Sequence, residues 1–459
     1  SILTGVNPGK HGIFDMTLRR PGSYESELLN GSHRRAAPFW QALNQAGYRV
    51  GLVNVPFTYP PAALDGFALC GFGAPADARK HIYPASLQAR VEAEVEGYRP
   101  ELSSNFLQRA GERELLEAER RHQARQIAAV AVAVREQPVQ VLVINLMLVD
   151  HANHYASSML DVNDAIRRSD EHLGQLLEAF RPDNVLLISD HGSRRIESNF
   201  LLFAWLRDRG YLSQKPAAKA ARPAAMNWLL QQWLPAAAGP KRLLRSGLRR
   251  LALALPEAAL AGLLSRLERR YPGAGAAVLY DSQLDYSRSS LITGTAFSEI
   301  LYFNCRGREP AGVVEPAEAA ELGARLQDEL GEVIDPGTGR PLFSAVCHNH
   351  EVYAGPWAAW GPDMILDSMD SACGVLTSDY RDYPLGDALP GRYFISNQSR
   401  RDFGRHAREG IFVFAGPQFD SGAAGQSYSV MDVPATLLHM YGVRPPAEYD
   451  GRVMREAFA

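Results

Sequence analysis

Three short stretches carry oxygen and nitrogen donors of the kind that hold borderline divalent cations. Asp150 is followed four residues later by His154 in Asp-His-Ala-Asn-His, Asp190 is followed directly by His191 and Gly192, and His406 stands just ahead of the apolar run 410–415. Carboxylate and imidazole together suit Zn²⁺ or Mn²⁺, whereas an all-oxygen set would suit harder cations. Taken singly, each piece has an ordinary explanation: an Asp at a strand end commonly caps the next helix, and a lone His is commonly a satisfied surface or core residue. Asp190-His191 is more telling, because two adjacent donors precede a glycine that permits a tight turn. A rival set is Cys347-His348-Asn349-His350-Glu351, whose His-x-His spacing would put both imidazoles on one face of a strand. Short His-rich tracts seldom bind metal, and His122 and His151 read as structural histidines. Cys70, Cys305, Cys347 and Cys373 lie far apart without Cys-x-x-Cys spacing, so reduced thiols in a cytoplasmic compartment are the expectation.

The donors must be positioned by strands and helices. Three apolar runs bounded by turn residues, 49–56, 139–149 and 184–189, read as buried parallel strands, and 410–415 as a shorter fourth. On this reading the second strand ends in Asp150 and the third in Asp190-His191-Gly192, at the carboxyl edge where open parallel sheets build their sites. Residues 106–137 and 161–180 repeat apolar positions every three or four residues and read as helices. Strand alternating with helix predicts a mostly parallel sheet covered on both faces, a three-layer α/β/α sandwich.

Composition limits the alternatives. With 459 residues, 46% hydrophobic and 22% charged, the chain is ordinary globular protein and not collagenous, fibrous or disordered. A net charge of −3 and a pI near 6.5 give no global case for nucleic acid or acidic lipid as partner. No stretch approaches the about 18 consecutive apolar residues of a membrane-spanning helix. The segment 215–271 departs from the rest, with eleven Lys/Arg against Glu257 and Glu268 and a helical period in Leu243, Leu244, Leu248, Leu251 and Leu255. It predicts a helical cap at 214–275 inserted between two parts of one core, 1–213 and 276–459. Its net +9 fits a lid, a surface for an anionic substrate or bilayer, or a solvated amphipathic insertion. The sequence opens Ser1-Ile2-Leu3-Thr4-Gly5, without Met or a basic leader, as if entered partway through an element.

Taken together the motifs are specific. Residues 1–16 (SILTGVNPGKHGIFDM) resemble the Thr-Gly-x-x-Pro-x-x-His-Gly-Ile signature of the type I phosphodiesterase/nucleotide pyrophosphatase family, within the alkaline phosphatase superfamily. Residues 54–73, 150–154, 189–192, 307–313, 406–418 and 432–451 follow in the order expected of its bacterial-type branch, with the cap least matched. The resemblance implies an alkaline phosphatase-like fold and a hydrolase of small phosphoesters that uses two divalent cations, Zn²⁺ first and Mn²⁺ as the alternative. It implies that Asp150, His154 and His406 hold one cation and that Asp190 and His191 hold the other, with a further Asp and a nucleophilic Thr or Ser. The family places that Asp and the nucleophile before Thr-Gly, so both are expected upstream of residue 1, on a βα unit missing from this N-terminally truncated sequence. The motif register makes Ser1 and Thr4 structural. Met16 stands where characterised nucleotide pyrophosphatases often carry an Asn that binds a phosphoryl oxygen; this departure bears on nucleotide-diester specificity and leaves the metal site untouched. The expected activity is therefore phosphodiester hydrolysis. Monoesterase, phosphomutase and sulfatase chemistry of the same superfamily, or a non-catalytic metal-binding scaffold, are the alternatives.

Overall fold

A computed structural model describes residues 1–19, 22–24, 26–102, 106, 110–215, 284–294, 298–377, 393–397, 403–420 and 425–458. Apart from Gln214 and Lys215, the expected cap lies outside the described residues.

The first sheet is built from β1 (Val50–Val53), β2 (Gly66–Leu69), β3 (Ile82–Tyr83) and β4 (Val141–Ile144), in the order β3-β2-β1-β4. β1 is parallel to β2 and to β4, and only the edge strand β3 is antiparallel. Successive side chains of a strand point to opposite faces, and here both faces are covered, which is why the strands read as unbroken apolar runs. Val53, Phe67 and Leu69 pack against α1 (Ala85–Glu94) and α2 (Glu112–Glu136) through Leu87, Val91, Ile127, Val130 and Ala133. Val50, Leu52 and Ala68 pack on the other side against Phe39, Trp40, Leu43 and Leu438. The three-layer α/β/α arrangement expected from the sequence is the one observed.

The run 139–149 is not one strand. β4 stops at Ile144, the Asn54 amide donates to the Asn145 carbonyl at 2.9 Å, and the chain turns into helix α3 (Leu148–Tyr155). Leu148 is buried with Ala152, Ala156, Leu116, Val162 and Ala165, so the second half of the apolar run serves helix packing. A continuous apolar run does not by itself distinguish the two uses. Asp150 therefore lies in the first turn of a helix, not at a strand end. Helix α4 (Met159–Phe180) follows and packs on α2 and α3.

The runs 184–189 and 410–415, expected as strands of a mostly parallel sheet, are antiparallel to each other. β5 (Val185–Ile188) and β6 (Gly192–Arg195) form an antiparallel ribbon with β7 (Gly404–Ala407) and β8 (Phe412–Ala415), in which Val185 faces Ala415, Ser193 faces His406 and Arg195 faces Gly404. The two strand pairs are successive stretches of the same two chain segments, so the direction set by one pair is kept by the other. His406 accordingly sits in a strand of its own, ahead of the one that carries Phe412. Among the described residues β4 pairs only with β1 and β5 only with β8; apart from buried Val141 and exposed Leu187, their apolar side chains are half-buried. A second core gathers Phe200, Phe203, Trp205, Leu206, Leu326, Leu330 and Met364 under an antiparallel four-stranded sheet.

The ribbon and α3 meet at Gly404. A Cβ there would lie 2.2 Å from the Asn153 carbonyl oxygen and 3.4 Å from that of Arg194, both backbone atoms. Gly404→Ala is expected to cost about 1–3 kcal/mol in chemical denaturation through overpacking. Gly111→Ala, which meets nothing within 4 Å, is its control. Equal stability of the two variants would contradict the close approach.

Candidate metal centre

Asp150 and His154 are four residues apart on α3, so one helical face presents both. β7 brings His406 to that face. His154 Nε2 and His406 Nε2 are 3.1 Å apart, and Asp150 Oδ1 lies 3.6 Å from the first and 3.7 Å from the second. These residues, distant in sequence, are the one group of three or more potential metal donors among the described residues.

Several backbone contacts fix this meeting. The Phe403 N–H donates to the His154 carbonyl at 2.8 Å, which ties the entry of β7 to the last turn of α3. Arg195 donates to the Ala156 and Ser157 carbonyls at 2.6 and 2.9 Å, satisfying groups that a helix end leaves without intrahelical partners. Arg194 donates to the His406 carbonyl at 3.2 Å and to those of Ser368 and Cys373 at 2.9 and 3.2 Å, and also to Ser371. Both arginines are thus spent on positioning backbone. The sequence reading missed them; their only signal was a basic pair directly after His191-Gly192-Ser193.

The protonation states suit a ligand set. His154 Nδ1–H donates to the Gly404 carbonyl at 3.0 Å, which fixes the tautomer and leaves the Nε2 lone pair facing His406 and Asp150. Burial and the neighbouring His191 and His154 lower the His406 pKa to about 4, so its ring is neutral at pH 7. Asp150 Oδ1 is buried and has no hydrogen-bond partner. A buried carboxylate oxygen with two imidazole nitrogens turned toward it is costly unless a cation satisfies all three. Donor atoms bound tetrahedrally at about 2.0–2.1 Å stand about 3.3 Å apart, close to the spacings found here. The three residues fit a divalent cation.

Asp190 and His191 fall in the break of the antiparallel ribbon. The Ser189 N–H donates to the Ile411 carbonyl at 2.9 Å and the Ile411 N–H donates to the Ser189 hydroxyl oxygen at 2.7 Å, so the next two residues leave the ladder. The His191 ring stacks on that of His406 with centroids 3.6 Å apart and planes 17° from parallel. Its Nδ1–H donates to the Gly192 carbonyl at 3.0 Å, and Nε2 lies 3.5 Å from Asp190 Oδ1. Asp190 is exposed. The pair is thus adjacent to the first set without joining it.

The other sequence candidates separate. His348 ends a strand, Ala345–His348, and His350 lies on the following helix, Asn349–Val352, so the His-x-His pair does not share a strand face as the spacing suggested. Thr4 is 2% exposed, in keeping with a structural role. Met16 lines an open cavity of about 320 Å³ with Phe14, Phe57, His11 and the Arg34 guanidinium. Ser1 and Leu3 also line it; Ile2 between them packs, like Ile188 at the end of β5, against Val433, Met454 and Ala457.

The model of the type I phosphodiesterase / nucleotide pyrophosphatase family matches residues 1–359. The chain belongs to this family. Its members are phosphoester-hydrolysing enzymes that depend on divalent metal. Comparison with curated proteins gives no match. Among solved structures, wild-type alkaline phosphatase PafA is similar at 13% identity and a TM-score of 0.50, over 100% of this chain and 88% of that one. Murine ectonucleotide pyrophosphatase/phosphodiesterase 5 is similar at 12% identity, over 98% and 84% of the two chains, with a TM-score of 0.45. Phosphonoacetate hydrolase from Sinorhizobium meliloti is similar at 14% identity, over 95% and 81%, with a TM-score of 0.42. The likeness to PafA shows an alkaline phosphatase-like fold. Among the described residues no helix is long and apolar enough to cross a membrane.

Asp150→Asn, His154→Ala and His406→Ala are each expected to weaken Zn²⁺ or Mn²⁺ binding on the order of a hundredfold, with far-UV circular dichroism unchanged. His350→Ala should leave it unaltered. A competition titration against a chromophoric chelator measures both, and undiminished affinity in the first three variants would contradict the assignment.

Proposed function

We propose that this family member is a phosphodiesterase that works with two divalent cations, one held by Asp150, His154 and His406 and the other by a set that includes Asp190 and His191. The observation that carries the reading is the buried, unpartnered Asp150 Oδ1 turned toward two imidazole nitrogens. The stacking of His191 on His406 supports a second cation. It sets the two rings 3.6 Å apart, comparable to the roughly 3.5–4 Å that separates paired catalytic cations.

When bound, such a pair supplies Lewis-acid stabilisation of the phosphoryl oxygens. The chain's own part is positioning. The Gly404 and Gly192 carbonyls each hold an imidazole in the tautomer whose Nε2 carries a lone pair, and Arg194 holds the His406 backbone in place. The cavity lined by Phe14, Phe57 and Met16 offers apolar surface, with the Arg34 guanidinium and the Asp15 carboxylate also on its wall. Arg34 donates to the Phe57 carbonyl at 3.0 Å and lies over the Trp40 ring, so the charge is held in place. A diester brings a second organic group that such a cavity accommodates, where a monoester of a small alcohol brings one. With Met16 unable to donate a hydrogen bond, Arg34 is the cationic donor that this cavity presents to an anionic substrate.

Full-length protein supplied with Zn²⁺ or Mn²⁺ is expected to hydrolyse a chromogenic phosphodiester faster than a phosphomonoester, and to lose both activities to a chelator. Asp190→Asn and His191→Ala are expected to abolish turnover with the fold retained. A monoester preference would move the protein to phosphatase or mutase chemistry. No turnover of either substrate would favour a scaffold, and near-normal turnover in both variants would remove Asp190 and His191 from the site.

A further inference from the structure

Helix α2 carries a polar row where its spacing faces the core. Glu119, His122, Gln123 and Gln126 recur at three- and four-residue intervals and are all buried, Glu119 and Gln123 at 2% exposure. Burying such groups is expensive unless they make specific contacts, and two of them contact α3. Glu119 Oε1 lies 2.9 Å from His151 Nδ1, one residue from Asp150, at ion-pair distance but without hydrogen-bond geometry. Gln123 Oε1 accepts the Leu148 N–H at 3.1 Å at the start of α3, and its amide also contacts Ser169 at 3.2 Å and His172 at 2.9 Å on α4.

We propose that Glu119 and Gln123 are positioning residues for the cation site, setting the rotation and axial placement of α3 so that Asp150 and His154 face His406. The inference rests on the proposed cation set. The reason is geometric. Helix α3 has 8 residues, too few to be stable alone, and its buried apolar residues are Leu148 and Ala152. One leucine and one alanine are few apolar contacts to fix the rotation of so short a helix, so the polar contacts from α2 bear on it. At about 100° per residue, Leu148, His151 and Ala152 share one face, and Asp150 and His154 lie about 130° round the helix from it. A contact that fixes His151 therefore fixes the donor face as well. Rolling α3 by about 20° would carry a side-chain atom about 5–6 Å from its axis through about 2 Å, ten times the about 0.2 Å tolerance of a metal–ligand distance. Gln123 adds axial placement, because it takes one of the N–H groups that the first turn cannot satisfy internally.

The test separates positioning from bulk stability by measuring cation affinity in the folded protein. Glu119→Leu and Gln123→Met keep comparable volume and remove the contacts; Glu119→Gln keeps the side-chain shape and a polar oxygen beside His151. Glu117→Gln, on an exposed ion-paired position of the same helix, is the control. In a competition titration with Zn²⁺ or Mn²⁺, Glu119→Leu and Gln123→Met are expected to weaken binding about ten- to a hundredfold. Glu119→Gln should recover most of the wild-type affinity, and Glu117→Gln should match wild type. A lowered melting temperature with wild-type cation affinity in Glu119→Leu and Gln123→Met would overturn the inference and leave these residues a structural role. Should Glu119→Leu fail to fold, Gln123→Met alone decides by the same criterion. Absence of cation binding in the wild-type protein would instead overturn the reading on which the inference rests.

Discussion

At Gly404 the backbone of β7 approaches the Asn153 carbonyl of α3 so closely that no Cβ fits, and this approach brings together donors 252 residues apart in sequence. The rest of the centre is arranged around it. The Gly404 carbonyl receives the His154 ring proton, the residue before it ties to the His154 carbonyl, and the residue two after it is His406 itself. A Cβ at position 404 would press on the Asn153 carbonyl, so β7 or α3 would have to shift at the point that pairs the two imidazoles. The constraint is backbone against backbone, so side-chain rearrangement cannot relieve it.

Charge is distributed to match. The centre brings a carboxylate and two imidazoles together, while Arg194 and Arg195 on the adjoining strand direct their guanidinium groups to carbonyls and away from the donors. A guanidinium near the Asp150 carboxylate would compete with a cation for its oxygen; a guanidinium on the backbone gives rigidity without that competition. On the opposite side, α2 offers Glu119 and Gln123 from the helix layer covering the parallel sheet. The α/β/α core thereby supplies one wall of the centre, and the antiparallel ribbon supplies the other.

Much of this was legible in the sequence. The four-residue spacing of Asp150 and His154 required only that both lie on one helix, and it held even though the segment had read as the end of a strand. The strands at 50–53, 141–144 and 185–188 were visible as apolar runs. What could not be read was direction. Whether 410–415 runs parallel or antiparallel to 184–189 depends on how 404–407 pairs with 192–195, a non-local contact that no local pattern encodes. The break that exposes Asp190 and His191 was invisible for the same reason. The polar row on α2 was readable in principle, since Glu119, Gln123 and Gln126 fall on a helical face that amphipathic spacing would fill with apolar residues. It reads as an ordinary charged helix unless the partner face is known.

The central claim is that Asp150, His154 and His406 enclose a divalent cation. Anomalous diffraction from crystals of the full-length protein grown with Zn²⁺, collected on both sides of the zinc absorption edge, tests it most directly. The account predicts an edge-dependent peak within about 2.0–2.2 Å of Asp150 Oδ1, His154 Nε2 and His406 Nε2. No peak at that point in protein that binds zinc elsewhere, or a peak that persists unchanged in Asp150→Asn crystals, would contradict it.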